Sequence, residues 1–266
     1  METEIINKPS GRKITLILLI TALTAFLIYF LIMSMISPGR KLNEIKYEYN
    51  SKSKIDSSLY KKISSDSTYL KLLREKAFLQ SRTVMAESDS IYLTINLSDS
   101  TVNVEISGVA VQMAKMSDVQ TSNIFLNGDE NIILALLSSP FTIANSIATI
   151  KKEPVMLKMA PKDTADYIPD IMPDTSITEP VNYVLEMTDG TRIYVYQEEA
   201  KKFKDRMSIF RFDLKYRLRD TWSSLKSVAL FKVPEYHLFI KIKLPRADAK
   251  IIYRAIPKYG QVGIYR

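Results

Sequence analysis

Cysteine is absent from this chain of 266 residues. Its absence excludes disulfides, thiolate metal sites, lipid attachment to cysteine and cysteine nucleophiles. Histidine occurs once, as His237, so a Ser-His-Asp triad would have to use it and a metal site built from several histidines is excluded. Glycine is scarce, with 7 residues, and neither G-x-G-x-x-G nor G-x-x-x-x-G-K occurs. We therefore expect no cofactor and no metal.

The composition is that of a folded protein with a basic surface. Hydrophobic residues make up 46% of the chain and charged residues 25%, which is typical of globular domains. The formal charge is +8, but the basic residues are spread along the chain and form no run of five or more. Attraction to an anionic membrane or a cell-wall polymer fits this distribution better than nucleic-acid binding, which we do not expect.

A long uncharged segment follows the N-terminal tail, residues 1–13. Residues 14–37 read ITLILLITALTAFLIYFLIMSMIS. At 1.5 Å per residue, a helix of this length crosses a hydrocarbon core of about 30 Å. A cleaved signal peptide would have a shorter apolar core and a small-x-small site after it. The sequence therefore predicts one continuous transmembrane helix that is retained as an anchor.

The flanking charges leave the orientation of this helix open. Basic residues stand on both sides of it: Lys8, Arg12 and Lys13 before, and Arg40, Lys41 and Lys46 after. The positive-inside rule therefore does not decide which end is cytoplasmic. A short N-terminal tail suits a signal anchor, so we expect a single-pass protein of the inner membrane with its soluble domain in the periplasm. A cytoplasmic-facing domain that binds a protein or nucleic acid is the alternative.

Residues 38–85 are predicted to form a helical stalk. Glycine and proline are absent from about 42 to 82. Apolar residues there follow a broken heptad pattern, which charged residues interrupt: Ile45, Tyr49, Leu59, Ile63, Leu70, Leu73 and Ala77. The stalk is interpreted either as a polar spacer that lifts the domain off the membrane or as a weak coiled-coil homodimer.

Residues 90–266 are predicted to form the soluble domain, mainly β with helices. Strand-forming runs separated by short turns predict a β-meander over residues 91–97, 101–106 and 109–111. Residues 131–150 are apolar and ambiguous, and the prolines of 161–180 indicate a surface loop. The clearest hairpin joins 181–187 to 191–197 through Thr188-Asp189-Gly190. An alternating strand over 236–244, a short helix over 246–255 and a strand over 261–265 close the chain.

An amphipathic helix is predicted from about Glu198 to Leu230. Its apolar stripe recurs every three or four residues: Phe203, Met207, Phe210, Leu214, Leu218, Trp222, Leu225 and Ala229. We expect this stripe to pack on the domain's own sheet and the basic face to be exposed. Arg211, Lys215 and Arg219 on that face are the candidate binding residues; a partner-binding stripe is the alternative.

Two segments resemble the catalytic domain of L,D-transpeptidases, which cross-link peptidoglycan. The first reads EPVNYVLEMTDG, residues 179–190, and the second KIKLPRADAKIIY, residues 241–253, followed by Ile256-Pro257 and Val262-Gly-Ile264. The family has a Met-Pro-Tyr strand, then Ser-x-Gly-Cys-Ile-Arg-Leu-Pro, then a helix with Asp-Ala and Tyr. The resemblance covers about residues 90–266 and implies a β-sandwich or barrel with the amphipathic helix inserted over the substrate groove.

The family's catalytic residues do not carry over to this chain. Its glycine, cysteine and arginine fall on Ile240, Lys241 and Lys243, and its serine falls next to Phe239. Its first histidine would fall near Tyr194 or Val195, and His237 lies four residues before Lys241. Such an enzyme needs a thiolate, a base and oxyanion donors, whereas a lysine near its ordinary pKa of about 10.4 is charged and not nucleophilic.

These observations favour a non-catalytic envelope protein, a scaffold or binding module near the cell wall. Its expected partners are the membrane, a protein of an envelope complex and peptidoglycan. The alternative is an enzyme with unorthodox peptidoglycan chemistry at Lys241, His237 and Lys243.

Overall fold

The structure is a computed structural model, which describes residues 11–50, 67–152, 179–199 and 203–266. The loop predicted over 161–180 lies outside the described residues except for its last two positions. The chain divides into two compact units. The smaller unit combines the residues up to Glu44 with Arg217–Tyr236, and the larger unit combines Ile45–Tyr216 with His237–Arg266.

The first helix, α1, runs without interruption from Gly11 to Asn50. It is long and apolar enough to cross a membrane, and no residue of its apolar window is buried by protein. The hydroxyls of Thr21 and Thr24 donate to helix carbonyls one turn back, so they remain satisfied in an apolar setting. The predicted continuous helix over 14–37 is therefore confirmed, and it continues through Pro38.

The larger unit is a mixed α/β fold built on one nine-stranded sheet. Its strands are β1 (Ile91–Asn96), β2 (Thr101–Ile106), β3 (Val109–Lys115), β4 (Asp118–Thr121), β5 (Phe141–Ala148), β6 (Asn182–Met187), β7 (Arg192–Gln197), β8 (Phe239–Leu244) and β9 (Gln261–Tyr265). They lie in the order β3-β2-β1-β9-β5-β6-β7-β8-β4. The pairs β1 with β9 and β7 with β8 are parallel; the others are antiparallel. The predicted meander over β1–β3 is confirmed.

The predicted hairpin between β6 and β7 is also confirmed. Gly190 adopts a φ of 84°, which an L side chain rarely tolerates. The Asp189 carboxylate accepts hydrogen bonds from the backbone and the hydroxyl of Thr191, at 3.0 and 2.6 Å. The turn is thus closed by its own Asp and Gly residues.

The described helices that follow α1 along the chain are α2 (Ser67–Ala86), α3 (Asn123–Asn127), α4 (Glu130–Leu137), α5 (Phe203–Ala229) and α6 (Arg246–Ala255). The ambiguous segment 131–150 resolves into α4 and β5, because Asp129 caps a helix that buries Ile133 and Leu137. Helix α5 contributes its residues up to Tyr216 to the larger unit and the rest to the smaller one.

Helix α2 belongs to the folded unit, where the sequence suggested a spacer. It packs against β9 and α4, and Ser81 and Met85 are fully buried. The heptad position Ala77 is buried, and Leu70 and Leu73 are half-buried. In this described part of the predicted stalk, the apolar seam therefore serves the chain's own domain. A homodimer through the stalk stays a prediction.

Candidate functional site

Strand β8 carries the positions where the transpeptidase motif would stand. It lies between β7 and β4, and its side chains alternate as predicted. Leu238, Ile240, Ile242 and Leu244 are at most 1% exposed on the core side. Ile240, at the position of the motif's glycine, is therefore a core residue. Phe239, Lys241 and Lys243 point to the other face.

Lys241 lies between two aromatic rings. Its Nζ is 5.4 Å from the centroid of Tyr194, its register partner on β7, and 5.3 Å from the centroid of Phe239. A ring face attracts an ammonium group by about 0.5–1 kcal/mol at a partly exposed site. The two contacts hold the Lys241 side chain over this face of the sheet.

Lys243 and His237 also have structural partners. Lys243 Nζ donates to Asp118 Oδ2 at 2.7 Å across the β4–β8 pair. His237 Nδ1 lies 3.0 Å from the carbonyl oxygen of Gly190, in the turn of the β6–β7 hairpin. A carbonyl oxygen only accepts, so Nδ1 carries the proton in this contact. His237 thereby ties the segment before β8 to the hairpin turn.

A cluster of tyrosines extends this face of the sheet towards α5. The Tyr216 ring meets the Tyr194 ring edge-on at 5.4 Å, and its hydroxyl donates to Glu186 Oε1 at 2.6 Å. The Arg192 guanidinium lies 5.2 Å from the Tyr216 ring. Burial raises the pKa of Tyr216 well above its ordinary value, and the hydrogen bond to the Glu186 carboxylate adds to this effect. The first half of α5 therefore lies on the same sheet face as Lys241.

The predicted packing of the apolar stripe of α5 is wrong. Phe203, Phe210 and Leu214 in the larger unit are 77%, 60% and 42% exposed, and Trp222 in the smaller unit is 71% exposed. The helix instead buries a more polar side in the larger unit. Tyr216 contacts Tyr194, Asp205 accepts from the Arg246 guanidinium at 3.2 Å, and Asp213 accepts from the hydroxyl of Tyr196 at 2.9 Å. The inward side of the helix therefore meets specific partners on β7 and at the start of α6.

The candidate basic residues of α5 are on its outer surface, as expected. Arg211 and Lys215 are exposed in the larger unit, and Arg219 is exposed in the smaller one. In both units, exposed apolar side chains accompany them. The surface that α5 presents is therefore both basic and apolar.

A second polar centre was missed by the sequence analysis. The Glu105 carboxylate, on β2, is 2% exposed and accepts from Arg82 Nε and from the Thr94 hydroxyl, each at 2.8 Å. The Glu105 carboxylate raises the pKa of Arg82 through this hydrogen bond. Glu105 lies on the same face of β2 as Thr101 and Asn103. Three polar residues in alternation are typical of a solvent-exposed strand face. No signal in the strand itself indicates that α2 brings Arg82 over that face.

Two open hollows on the larger unit contain none of the motif positions. One runs along α2 past Leu72, Leu79 and Ser138, and the other lies beside β4, between Leu97 and Arg266. Among the described residues, no group of three or more Asp, Glu or His side chains is arranged to hold a metal ion.

Comparisons with protein-family models, with curated proteins and with solved structures find no match for this chain. The similarity to L,D-transpeptidases therefore rests on the two sequence segments alone. What the structure adds is the contact that each motif-position side chain makes.

Proposed function

We propose that this chain is a non-catalytic, membrane-anchored module of the bacterial envelope, with a soluble part related to L,D-transpeptidases. The proposal rests on one observation: the side chains at the motif positions make structural contacts. Ile240 is in the core, Lys241 lies between two rings and Lys243 pairs with Asp118. Where a site no longer catalyses a reaction, we expect its residues to pack and pair with their neighbours as these three do.

The chemistry of the region supports a binding role over a catalytic one. Acyl transfer requires a nucleophile and a base within hydrogen-bond reach of each other. Lys241 lies over the rings of Tyr194 and Phe239, and Lys243 pairs with the Asp118 carboxylate, so both amines make structural contacts. His237 donates from Nδ1 to the Gly190 carbonyl, a contact that binds its ring to the hairpin turn.

The binding surface that we propose is the outer side of α5 in the larger unit. Phe203, Phe210 and Leu214 are exposed there beside Arg211 and Lys215. Exposed apolar side chains grouped with one sign of charge are typical of interaction sites. The partner is a protein of an envelope complex with an acidic, apolar surface; peptidoglycan is a further ligand. We place the module on the periplasmic face of the inner membrane.

The proposal predicts that the purified full chain leaves muropeptides unchanged, as followed by chromatography and mass spectrometry. An active L,D-transpeptidase incubated in parallel shows that the substrates are competent. Turnover that disappears in the Lys241→Ala variant would contradict the proposal and favour an enzyme with unorthodox chemistry.

The binding surface is tested by cross-linking in membranes. The Arg211→Glu/Lys215→Glu variant should lose at least half of the cross-linked partner recovered with the unaltered chain, because the charge that attracts an acidic surface is reversed. Lys258→Glu, an exposed lysine outside α5, is the matched control and should retain it. Equal recovery with both variants would rule out this face as the binding surface.

A further inference from the structure

The smaller unit contains a turn that returns along the anchor helix. After α5 ends at Ala229, residues 230–236 run beside α1. The Phe231 ring lies 6.0 Å from the Tyr29 ring, centroid to centroid, and the hydroxyl of Ser37 donates to the carbonyl oxygen of Pro234 at 2.6 Å. Both pairs advance in the same direction, so 231–234 is parallel to α1.

These two contacts give the depth of the turn along α1. Tyr29 precedes Ser37 by eight residues, which corresponds to about 12 Å of helix. Tyr29 also lies inside the uncharged segment 14–37, whereas Ser37 lies at its end, next to Arg40 and Lys41. If α1 spans a bilayer, the Phe231 side chain lies level with the hydrocarbon and Pro234 level with the boundary.

The turn itself has an unusual backbone. Phe231 has a φ of 57°, a conformation in which glycine is normally found after a helix. The amides of Phe231 and Lys232 donate to the carbonyls of Val228 and Ser227, at 3.0 and 2.9 Å, the hydrogen bonds of a Schellman motif. A large aromatic side chain is thus held at a strained position while 83% exposed. Such strain at an exposed tip points to a role for the side chain outside the fold.

The adjoining half of α5 exposes a matching surface. Leu218, Trp222 and Leu230 are 60%, 71% and 59% exposed, whereas Val228 is buried. Arg219, Lys226 and Lys232 are exposed around them. Over 217–236, four basic residues stand against two acidic ones, Asp220 and Glu235. Apolar and aromatic side chains bordered by basic ones are typical of helices that lie in a membrane interface.

We propose that residues 218–232 form a second membrane contact, which inserts into the leaflet beside α1. The Leu230-Phe231 turn reaches the acyl chains, Trp222 lies at headgroup level, and Arg219, Lys226 and Lys232 contact anionic headgroups. Long basic side chains reach the headgroups from a shallow position by extending along their stems. The proposal rests on the membrane anchoring that is part of the proposed function, and it adds a contact that holds α5 to the bilayer.

Trp222 is the sole tryptophan of the chain and reports directly on this contact. The full chain is reconstituted into vesicles of phosphatidylethanolamine and phosphatidylglycerol, with bromine atoms on the acyl chains at a shallow or a deep position. We expect blue-shifted emission and stronger quenching by the shallow bromines. Emission as in water without quenching would overturn the proposal. Blue-shifted emission without quenching would overturn it as well, because protein would then cover Trp222.

Moving the tryptophan separates this inference from the anchoring. In Trp222→Phe/Phe231→Trp, the tip reports its own depth and should be quenched more by the deep bromines. In Trp222→Phe/Tyr29→Trp, the probe reports on α1 alone. Quenching at position 29 but not at 231 leaves the anchor intact and overturns the second contact. Quenching at neither position overturns both.

Charge-reversal variants test whether anionic headgroups take part in the contact. Arg219→Glu/Lys226→Glu/Lys232→Glu should reduce the quenching of Trp222 by at least half in vesicles with phosphatidylglycerol. Arg211→Glu/Lys215→Glu, with the changes placed in the larger unit, is the matched control and should leave it unchanged. If the triple variant is quenched as strongly as the unaltered chain, headgroup charge has no part in the contact and that part of the proposal fails.

Discussion

At the scale of single residues, the larger unit depends on polar side chains placed where their strand suggested solvent. Glu105 is buried on β2 because Arg82 of α2 and Thr94 of β1 satisfy both of its oxygens. A carboxylate loses several kcal/mol of hydration on burial, and its partners must replace it. Removing one partner therefore lowers the free energy of unfolding by more than the intact pair contributes to it.

Arg82→Leu should lower the free energy of unfolding by about 3–5 kcal/mol, because it leaves the Glu105 carboxylate buried without its cation. Urea denaturation of the full chain in detergent micelles measures this change. Arg211→Leu removes an exposed arginine and should stay within about 0.5 kcal/mol of the unaltered chain. An equally small effect of Arg82→Leu would contradict the role given to the pair.

Tyr216 makes the stability depend on pH at the alkaline end. Its folded-state pKa is raised above 10.0, chiefly by burial. Above about pH 10 the unfolded chain loses the phenolic proton while the folded chain keeps it, so stability falls with rising pH. Each such tyrosine contributes up to about 1.4 kcal/mol per pH unit.

We expect Tyr216→Phe to flatten this alkaline decline, while costing about 1 kcal/mol at pH 7 through the lost hydrogen bond to Glu186. Denaturation curves between pH 8 and about pH 11 measure both effects. Tyr259→Phe, at a tyrosine that is 66% exposed, is the matched control. An unchanged alkaline slope in Tyr216→Phe would show that Tyr216 is not the group involved.

At the scale of elements, α2 and β9 approach each other closely enough to need a glycine. A Cβ built on Gly263 would lie 2.5 Å from Met85 Cε, and Met85 is fully buried. The end of a methionine side chain is flexible and can move, but a buried one has little free space. This contact distinguishes a helix packed on the sheet from a spacer.

Gly263→Ala should therefore destabilise the chain by about 1–3 kcal/mol through overpacking. Met85→Ala alone should cost about 2–5 kcal/mol through the cavity that it leaves. The double variant should cost less than the sum of the two, since the new methyl group occupies part of that cavity. Strict additivity in thermal or urea denaturation would mean that α2 does not pack on β9 as described.

At the scale of the whole molecule, α1 has the length and composition of a membrane span. We expect the protein purified from membranes to keep the helix over residues 14–37, because this uncharged segment is longer than the apolar core of a signal peptide. N-terminal sequencing and intact mass measure this. A mature chain that begins after Ser34 would contradict the anchor, and C-terminal reporter fusions to a periplasmic and a cytoplasmic enzyme would decide the orientation.

Periodicity was sufficient for most elements of the chain. The hairpin over β6 and β7, the alternation of β8 and the bounds of α6 and β9 follow from residue spacing and from Asp-Gly turn chemistry, which are properties of neighbouring residues. The side of α5 that is buried did not follow from the apolar stripe. Its buried side contacts Tyr194, Glu186 and Arg246, which belong to other elements, so the residue pattern of α5 itself does not reveal them.

The sequence by itself determined that the chain has one uncharged span and no thiol, because both are counts along the chain. Only the tertiary structure decided that Ala77 and Met85 face the chain's own sheet, that Lys241 lies between Tyr194 and Phe239, and that Phe231 lies beside Tyr29. Burial and pairing are properties of residues brought together from distant parts of the chain. An amphipathic pattern indicates that one face of an element is suited to burial. Residues elsewhere in the fold determine whether that face is buried.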